Sequence, residues 1–212
     1  MNLPDYIRGA IFDLDGTLLD SLGVWSEIDE KFLSKRGMTV PSDYVDNIGT
    51  MEIRQAAVYT INRFGLAETP EAVMQEWTDM AVGAYATELK LKPNAKAALI
   101  ELKAKGIKLA VATSSTTDMC LPALKNNGVL DLFDAVVTTR EIGRGKAFPD
   151  VYLAAANRIG VVPEHCAVFE DLLGALTTAK TAGFYAIGVY DKHSLPDAEK
   201  IKSLANDYVS FE

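Results

Sequence analysis

The chain has 212 residues, of which 49% are apolar, and a net charge of −8. This length suits one large domain or two small ones, with apolar content for a proper core and against bulk disorder. The acidic balance excludes general nucleic-acid binding and polybasic membrane docking, both of which need basic surface.

Two cysteines, Cys120 and Cys166, stand far apart. With no C-x-x-C spacing, neither a zinc site nor a redox motif is indicated, and both read as buried thiols of a reducing compartment. No basic stretch leads into an apolar core and cleavage site, and no apolar run approaches the ~20 residues of a membrane span. A soluble, cytoplasmic protein is expected.

The first element is a near-continuous apolar run, Arg8 to Leu14, read as a buried strand of a parallel sheet covered on both faces. It ends in Asp13 and Asp15, one residue apart, and then Gly16. Alternation would aim both acids the same way, while the glycine allows a tight turn just beyond them. Two carboxylates placed together raise each other's pKa unless a cation or hydrogen bonds compensate, and a divalent metal is the simplest compensator.

From Leu22 to about Leu89 the spacing becomes helical. Val24, Ile28 and Phe32 form one stripe, ended by Gly37, and Ile53, Ala57, Ile61 and Phe64 form a second, closed by Gly65. Pro70 opens a third helix, with Val73, Trp77, Ala81 and Ala84 along one face. Trp77 and Phe64 read as core residues of a small inserted bundle.

After Pro93, helices and strands alternate. Helices are expected over 95–105, 118–126, 149–159, 173–182 and 196–205. Strands are expected over 107–112, 135–138, 166–169 and 185–189, with an edge strand over 208–211. This alternation predicts an α/β fold: a doubly wound parallel sheet with right-handed crossovers and a small inserted helical domain. The expected division is 1–20 with 90–212 for the sheet domain and 21–89 for the helical one. In such sheets ligands bind beyond the carboxyl ends of the strands.

Polar residues gather at four such ends. Asp13 and Asp15 close the first strand. Thr113-Ser114-Ser115 follow the second, where hydroxyls and free backbone N–H groups ahead of a helix make an anion site. Helix capping explains one hydroxyl there but three in a row less well. Lys146 lies in the glycine-loosened loop Gly143-Arg144-Gly145-Lys146-Ala147-Phe148-Pro149-Asp150, able to swing toward an anion, whereas Arg144 reads as a surface charge. Glu170-Asp171 closes the fourth strand. Acid pairs from two strands at one sheet edge supply hard oxygen ligands for Mg2+.

The order acid pair, hydroxyl, lysine, acid pair resembles the haloacid dehalogenase-like (HAD) hydrolase superfamily, with its Rossmann-like core. The matching stretches are Asp13-Leu-Asp15-Gly-Thr, Thr113-Ser-Ser, Lys146-x-x-Pro-Asp, and Glu170-Asp171 with the later Ala182-Gly183. The helical insert resembles that family's cap domain, and the nearest style is that of phosphoglycolate phosphatases and β-phosphoglucomutases. The resemblance implies Asp13 as nucleophile, forming an aspartyl-phosphate, and Asp15 as acid toward the leaving alcohol and then base toward water. It implies Mg2+ held by the Asp13 carboxylate, the Asp15 carbonyl and Asp171, with Glu170 assisting. Thr113, Ser114 and the neighbouring N–H groups would bind phosphate oxygens, and Lys146 would neutralise Asp13 and the transferring group.

Within the family, an acid at Asp15 favours phosphate over haloacid chemistry, because a halide leaves without a proton. Mutases of this style carry a histidine early in the cap. Here Trp25 stands at about that place, and His165 and His193 lie outside the insert. Lys31 and Lys35 read as surface charges, not as Schiff-base lysines. The family's usual serine after the last acid pair is replaced by Leu172. Asp20 to Gly23 and Leu89 to Pro93 are the expected hinges, and the turn Asn47-Ile48-Gly49-Thr50-Met51-Glu52 is where family caps face the site. Arg54 reads as a helix surface charge. The expectation is a Mg2+-dependent phosphatase acting on a small phosphorylated metabolite, a monomer or weak dimer, without nucleic-acid or membrane partners. The alternatives are a phosphomutase and a catalytically silent binding protein on the same fold.

Overall fold

The computed structural model describes residues 3–21, 23–48, 51 and 53–212. The chain divides into two compact units, Met1–Leu22 with Leu89–Glu212, and Gly23–Glu88.

The first unit is built on six parallel strands: β1 (Gly9–Phe12), β2 (Lys108–Thr113), β3 (Ala135–Thr138), β4 (Cys166–Glu170), β5 (Tyr185–Val189) and β6 (Asp207–Val209). Their order across the sheet is β3-β2-β1-β4-β5-β6. The chain builds outward from β1 in one direction, then returns to build in the other. The crevice where the direction reverses lies at the carboxyl ends of β1, β2 and β4, the place such sheets reserve for ligands. β1, β2 and β4 are apolar and buried almost throughout, as strands covered on both faces must be.

Alternation divides their side chains. Ile11, Ala110, Ala112 and Val168 join one core cluster with Val151, Tyr152 and Ala155. Phe12 stacks on its register partner Phe169 with centroids 4.2 Å apart. Gly9 at the start of β1 has no room for a side chain: a Cβ there would lie 2.7 Å from Cys166 Sγ. Both cysteines are buried and unbridged.

The second unit contains α1 (Val24–Ser34), α2 (Tyr44–Ile48), α3 (Ile53–Phe64) and α4 (Pro70–Thr87). Thr69 caps α4, its hydroxyl accepting the Ala72 N–H, and Pro70 stands at its start. The stripes on α1 and α4 are buried as their spacing requires. The stripe expected on α3 is turned. Ile53 is exposed, and Ala56, Ala57 and Thr60 face inward. The cause is the Tyr44 ring: its hydroxyl bonds Thr60 Oγ1 at 2.7 Å, and small residues let α3 approach it closely. Phe64 packs edge-on against the same ring and is half-buried. α2 was not foreseen from spacing, being too short to show a period. Gly49, Thr50 and Glu52 of the expected site-facing turn lie outside the described residues, as does Leu22 of one expected hinge.

The remaining helices are α5 (Ala95–Ala104), α6 (Thr117–Asn126), α7 (Thr139–Ile142), α8 (Asp150–Arg158), α9 (Leu173–Thr181) and α10 (Ala198–Leu204), with 3-10 turns at Leu130–Leu132, Pro163–His165 and Lys192–Asp197. Among the described residues, no helix is long and apolar enough to cross a membrane.

Candidate active site

Asp13 follows β1 directly, and its N–H donates to the Phe169 carbonyl at 3.0 Å, so the sheet still holds its backbone. Gly16, at φ +79°, then turns the chain, and the Leu18 and Leu19 N–H groups both return to the Leu14 carbonyl at 2.9 Å. Asp15 is half-buried within this turn. β4 runs one residue longer than expected, carrying Glu170 as its last member, with Asp171 immediately beyond.

The acids from the two strands meet. Carboxylate oxygens of Asp13, Glu170 and Asp171 all lie within 4.8 Å of one another, and all three residues are buried. Asp15 contributes no carboxylate to this group. Lys146 joins them from the loop after α7, its ammonium donating to Asp13 Oδ1 and, at 2.7 Å, to Glu170 Oε1. That loop begins at Gly143, whose φ of +77° ends α7 after one turn. Lys146 is therefore a buried ligand of two acids, not the solvated surface residue its isolated position would suggest.

One cation sits among three buried carboxylates. Burial works to lower the Lys146 pKa, but the charges of Asp13 and Glu170 outweigh it, so the lysine is held protonated. Burial pushes the Glu170 pKa up, against the pull of Lys146; burial and the neighbouring Asp13 charge push Asp171 up as well. Glu170 Oε1 accepts from both Lys146 and the Tyr152 hydroxyl, the latter at 2.6 Å, whereas buried Glu170 Oε2 has no protein partner. An orphaned buried carboxylate oxygen is costly. Together with an all-oxygen, acid-rich donor set, it fits a hard divalent cation such as Mg2+.

The β2 end also departs from expectation in detail. Thr113 is the last residue of the strand and fully buried, its hydroxyl oxygen accepting the Ser115 N–H at 2.9 Å. That bond leaves the Thr113 proton available to an anion. Ser114 is exposed, and Ser115 Oγ is buried without a partner. No side chain caps α6, so these hydroxyls are not spent as its cap. Arg144 pairs with Asp150 at 3.3 Å and lies over the Phe148 ring.

Three contacts in the site are invisible to local sequence reasoning. Thr17 Oγ1 donates to Asp171 Oδ1 at 3.1 Å, Ser194 Oγ donates to Asp171 Oδ2 at 3.3 Å, and Tyr152 reaches Glu170 from α8. Thr17 stands inside the stretch Asp13 to Thr17, but the other two carry no local signal, being one aromatic on an apolar helix face and one serine in a turn.

The sequence matches the haloacid dehalogenase-like hydrolase family over residues 7–183. It is 29% identical to a phosphorylated carbohydrates phosphatase of Thermotoga maritima, covering 92% of this chain and 90% of that one. It is likewise 29% identical to a β-phosphoglucomutase of Bacillus subtilis, covering 95% and 91%. A solved structure of a candidate β-phosphoglucomutase from Thermotoga maritima superposes with a TM-score of 0.84 at 27% identity, covering 97% of this chain and 95% of that one. The family match spans the four strand-end motifs, and the chain belongs to the haloacid dehalogenase-like hydrolases.

Proposed function

We propose that the protein is a Mg2+-dependent phosphatase that hydrolyses a small phosphorylated metabolite, of the sugar-phosphate or phosphoglycolate kind. The observation that carries this reading is the meeting of Asp13, Lys146, Glu170 and Asp171 from three separate stretches of chain in one buried, acid-rich cluster. A phosphatase and a mutase are among the relatives, and both names concern phosphorylated sugars.

Asp13 is the attacking group. Its carboxylate oxygen forms the bond to phosphorus while the substrate's alkoxide leaves, giving an aspartyl-phosphate. Asp15 gives its proton to that leaving oxygen, then takes one from the water that attacks the aspartyl-phosphate and frees inorganic phosphate. Lys146 holds Asp13 in place and offsets charge on the transferring group. Thr113 and the N–H groups beside it receive phosphate oxygens. Asp13, Asp171 and Glu170, with the Asp15 carbonyl, are the groups that would hold Mg2+, which supplies charge neutralisation at the phosphoryl oxygens. The unit Gly23–Glu88 takes the part of a cap that selects the substrate and excludes water.

The test is phosphate release from a panel of phosphorylated metabolites, with Mg2+ and with EDTA. Release that needs Mg2+ and falls at least about a thousandfold in Asp13→Asn is expected. No release from any substrate, or full release by Asp13→Asn, would sink the reading. Isomerised sugar phosphate without free phosphate would replace it with a mutase, which the absence of histidine from residues 23–88 disfavours.

A further inference from the structure

Both oxygens of Asp171 are held by hydroxyls, and one of these comes from a turn remote in sequence. Asp171 Oδ1 accepts from Thr17 at 3.1 Å and Oδ2 from Ser194 at 3.3 Å. The residue next to Asp171 cannot serve, because Leu172 has no hydroxyl and is 55% exposed. Ser194 lies in the 3-10 turn after β5 and is buried. That turn is fastened by the residue that caps it, Asp191. Asp191 Oδ1 accepts the His193 N–H at 2.8 Å, and the Asp191 carbonyl accepts the Ser194 N–H at 3.1 Å.

Asp191 is itself fixed by a buried cation. Lys92 Nζ lies 2.8 Å from Asp191 Oδ2, each side chain being 2% exposed, and the same ammonium donates to the Tyr190 carbonyl at 2.7 Å. The Lys92 backbone is tied to the first motif's turn, its N–H donating to the Leu18 carbonyl at 2.8 Å. Burying both charges carries a large desolvation penalty, so an ion pair this deep is weak evidence for stability. Its geometric consequence is definite: it fixes the carboxylate around which the Ser194 turn is wound.

We propose that Ser194 is a positioning residue for Asp171, and that the buried Lys92–Asp191 pair is the clamp that keeps it there. The hydroxyls of Thr17 and Ser194 take one lone-pair direction on each Asp171 oxygen and fix the carboxylate plane, leaving the remaining lone pairs for a cation shared with Asp13 and Glu170. This rests on the Mg2+ reading above. It adds two elements, the turn after β5 and the segment around Lys92, to the parts that determine cation affinity.

The test is calorimetric titration of the metal-free protein with MgCl2, alongside melting of the same samples. Ser194→Ala is expected to weaken Mg2+ binding about tenfold, with the metal-free melting temperature unchanged and Ser194→Thr restoring most of the loss. The double variant Lys92→Met, Asp191→Asn removes the ion pair at constant net charge and keeps an acceptor for the His193 N–H. It is expected to weaken Mg2+ binding in the same direction. Wild-type binding matched by Ser194→Ala overturns the positioning role, and wild-type binding matched by the double variant overturns the clamp. A wild-type protein that shows no Mg2+ binding overturns the cation reading itself, and the proposal with it.

Discussion

The two units handle charge in opposite ways. In residues 23–88 the cations pair at or near the surface: Arg63 meets Asp43 at 2.7 Å, Arg54 meets Glu71 at 2.5 Å, and the partly buried Arg36 spans Glu68 and Glu76 at 2.8 and 2.6 Å. In the sheet unit, Lys146 and Lys92 are taken inside and face buried carboxylates. Exposed pairs contribute little and cost little, whereas buried ones are expensive and depend on complete partnership. The sheet unit therefore holds the costly buried charge, and the helical unit pairs most of its charge in or near solvent. Among the described residues of the helical unit, Asp29 on α1 departs from this pattern: it is buried, and burial raises its pKa to about 6.

Removing Lys146 sharpens the contrast most. Lys146→Met leaves buried Asp13, Glu170 and Asp171 without their cation. Turnover should drop by about a hundredfold or more, and the metal-free protein should lose about 3 kcal/mol by denaturant unfolding. Mg2+ should recover part of that stability, since it binds the folded cluster.

A second measurement compares the wild-type Mg2+-induced rise in melting temperature at pH 5 and pH 8. Glu170 and Asp171 hold protons more tightly folded than unfolded, so without metal their stabilising effect is present at acid pH and is lost as pH rises through their raised folded pKa values. Protons and Mg2+ compete for the same oxygens, so the rise should be larger at pH 8. An equal rise at both would break the link between cluster protonation and cation binding.

Asp29→Asn asks whether the exception in the helical unit obeys the buried-charge rule. The folded pKa of about 6 lies above the usual 3.8, so the stability from protonated Asp29 is fully present below pH 3.8 and is lost as pH rises through about 6. The variant should be more stable than wild type above pH 6, by about 1–2 kcal/mol after allowance for partial solvation. The difference should vanish below about pH 4 in paired melts across that range. The smallest effect belongs to the surface: Arg54→Ala should leave the melting temperature within about 1 °C of wild type.

What could be read from the sequence was whatever local spacing determines. The strands 135–138 and 185–189 have the expected bounds, and the acid pairs close β1 and β4 because apolar runs ending in charge have few other solutions. Errors fell where a tertiary neighbour decided. The face of α3 was set by Tyr44, Thr113 was drawn into β2 by pairing with Thr138 of β3, and the expected edge strand starts one residue and ends two residues early, at Asp207–Val209. The 196–205 helix begins instead as a 3-10 turn, with α10 confined to Ala198–Leu204. Tyr152, Thr17 and Ser194 enter the site through contacts spanning 18, 154 and 23 residues, separations on which no periodicity bears.

The segments flanking Gly23–Glu88 carry a further consequence. Leu19 and Leu91 form an antiparallel bridge, and the Asp20 N–H donates to the Lys90 carbonyl at 3.1 Å, so the chain leaves the sheet unit and re-enters it at one point. The insert is a loop whose ends the host already holds together. Closing a longer or shorter loop across fixed ends changes the entropy slowly, by about 0.6 kcal/mol per doubling of length. The host fold is thus nearly indifferent to what is inserted there. The helical unit can be rebuilt, lengthened or exchanged while the strand-end acids stay where the sheet puts them, so the two parts of the chain can vary separately.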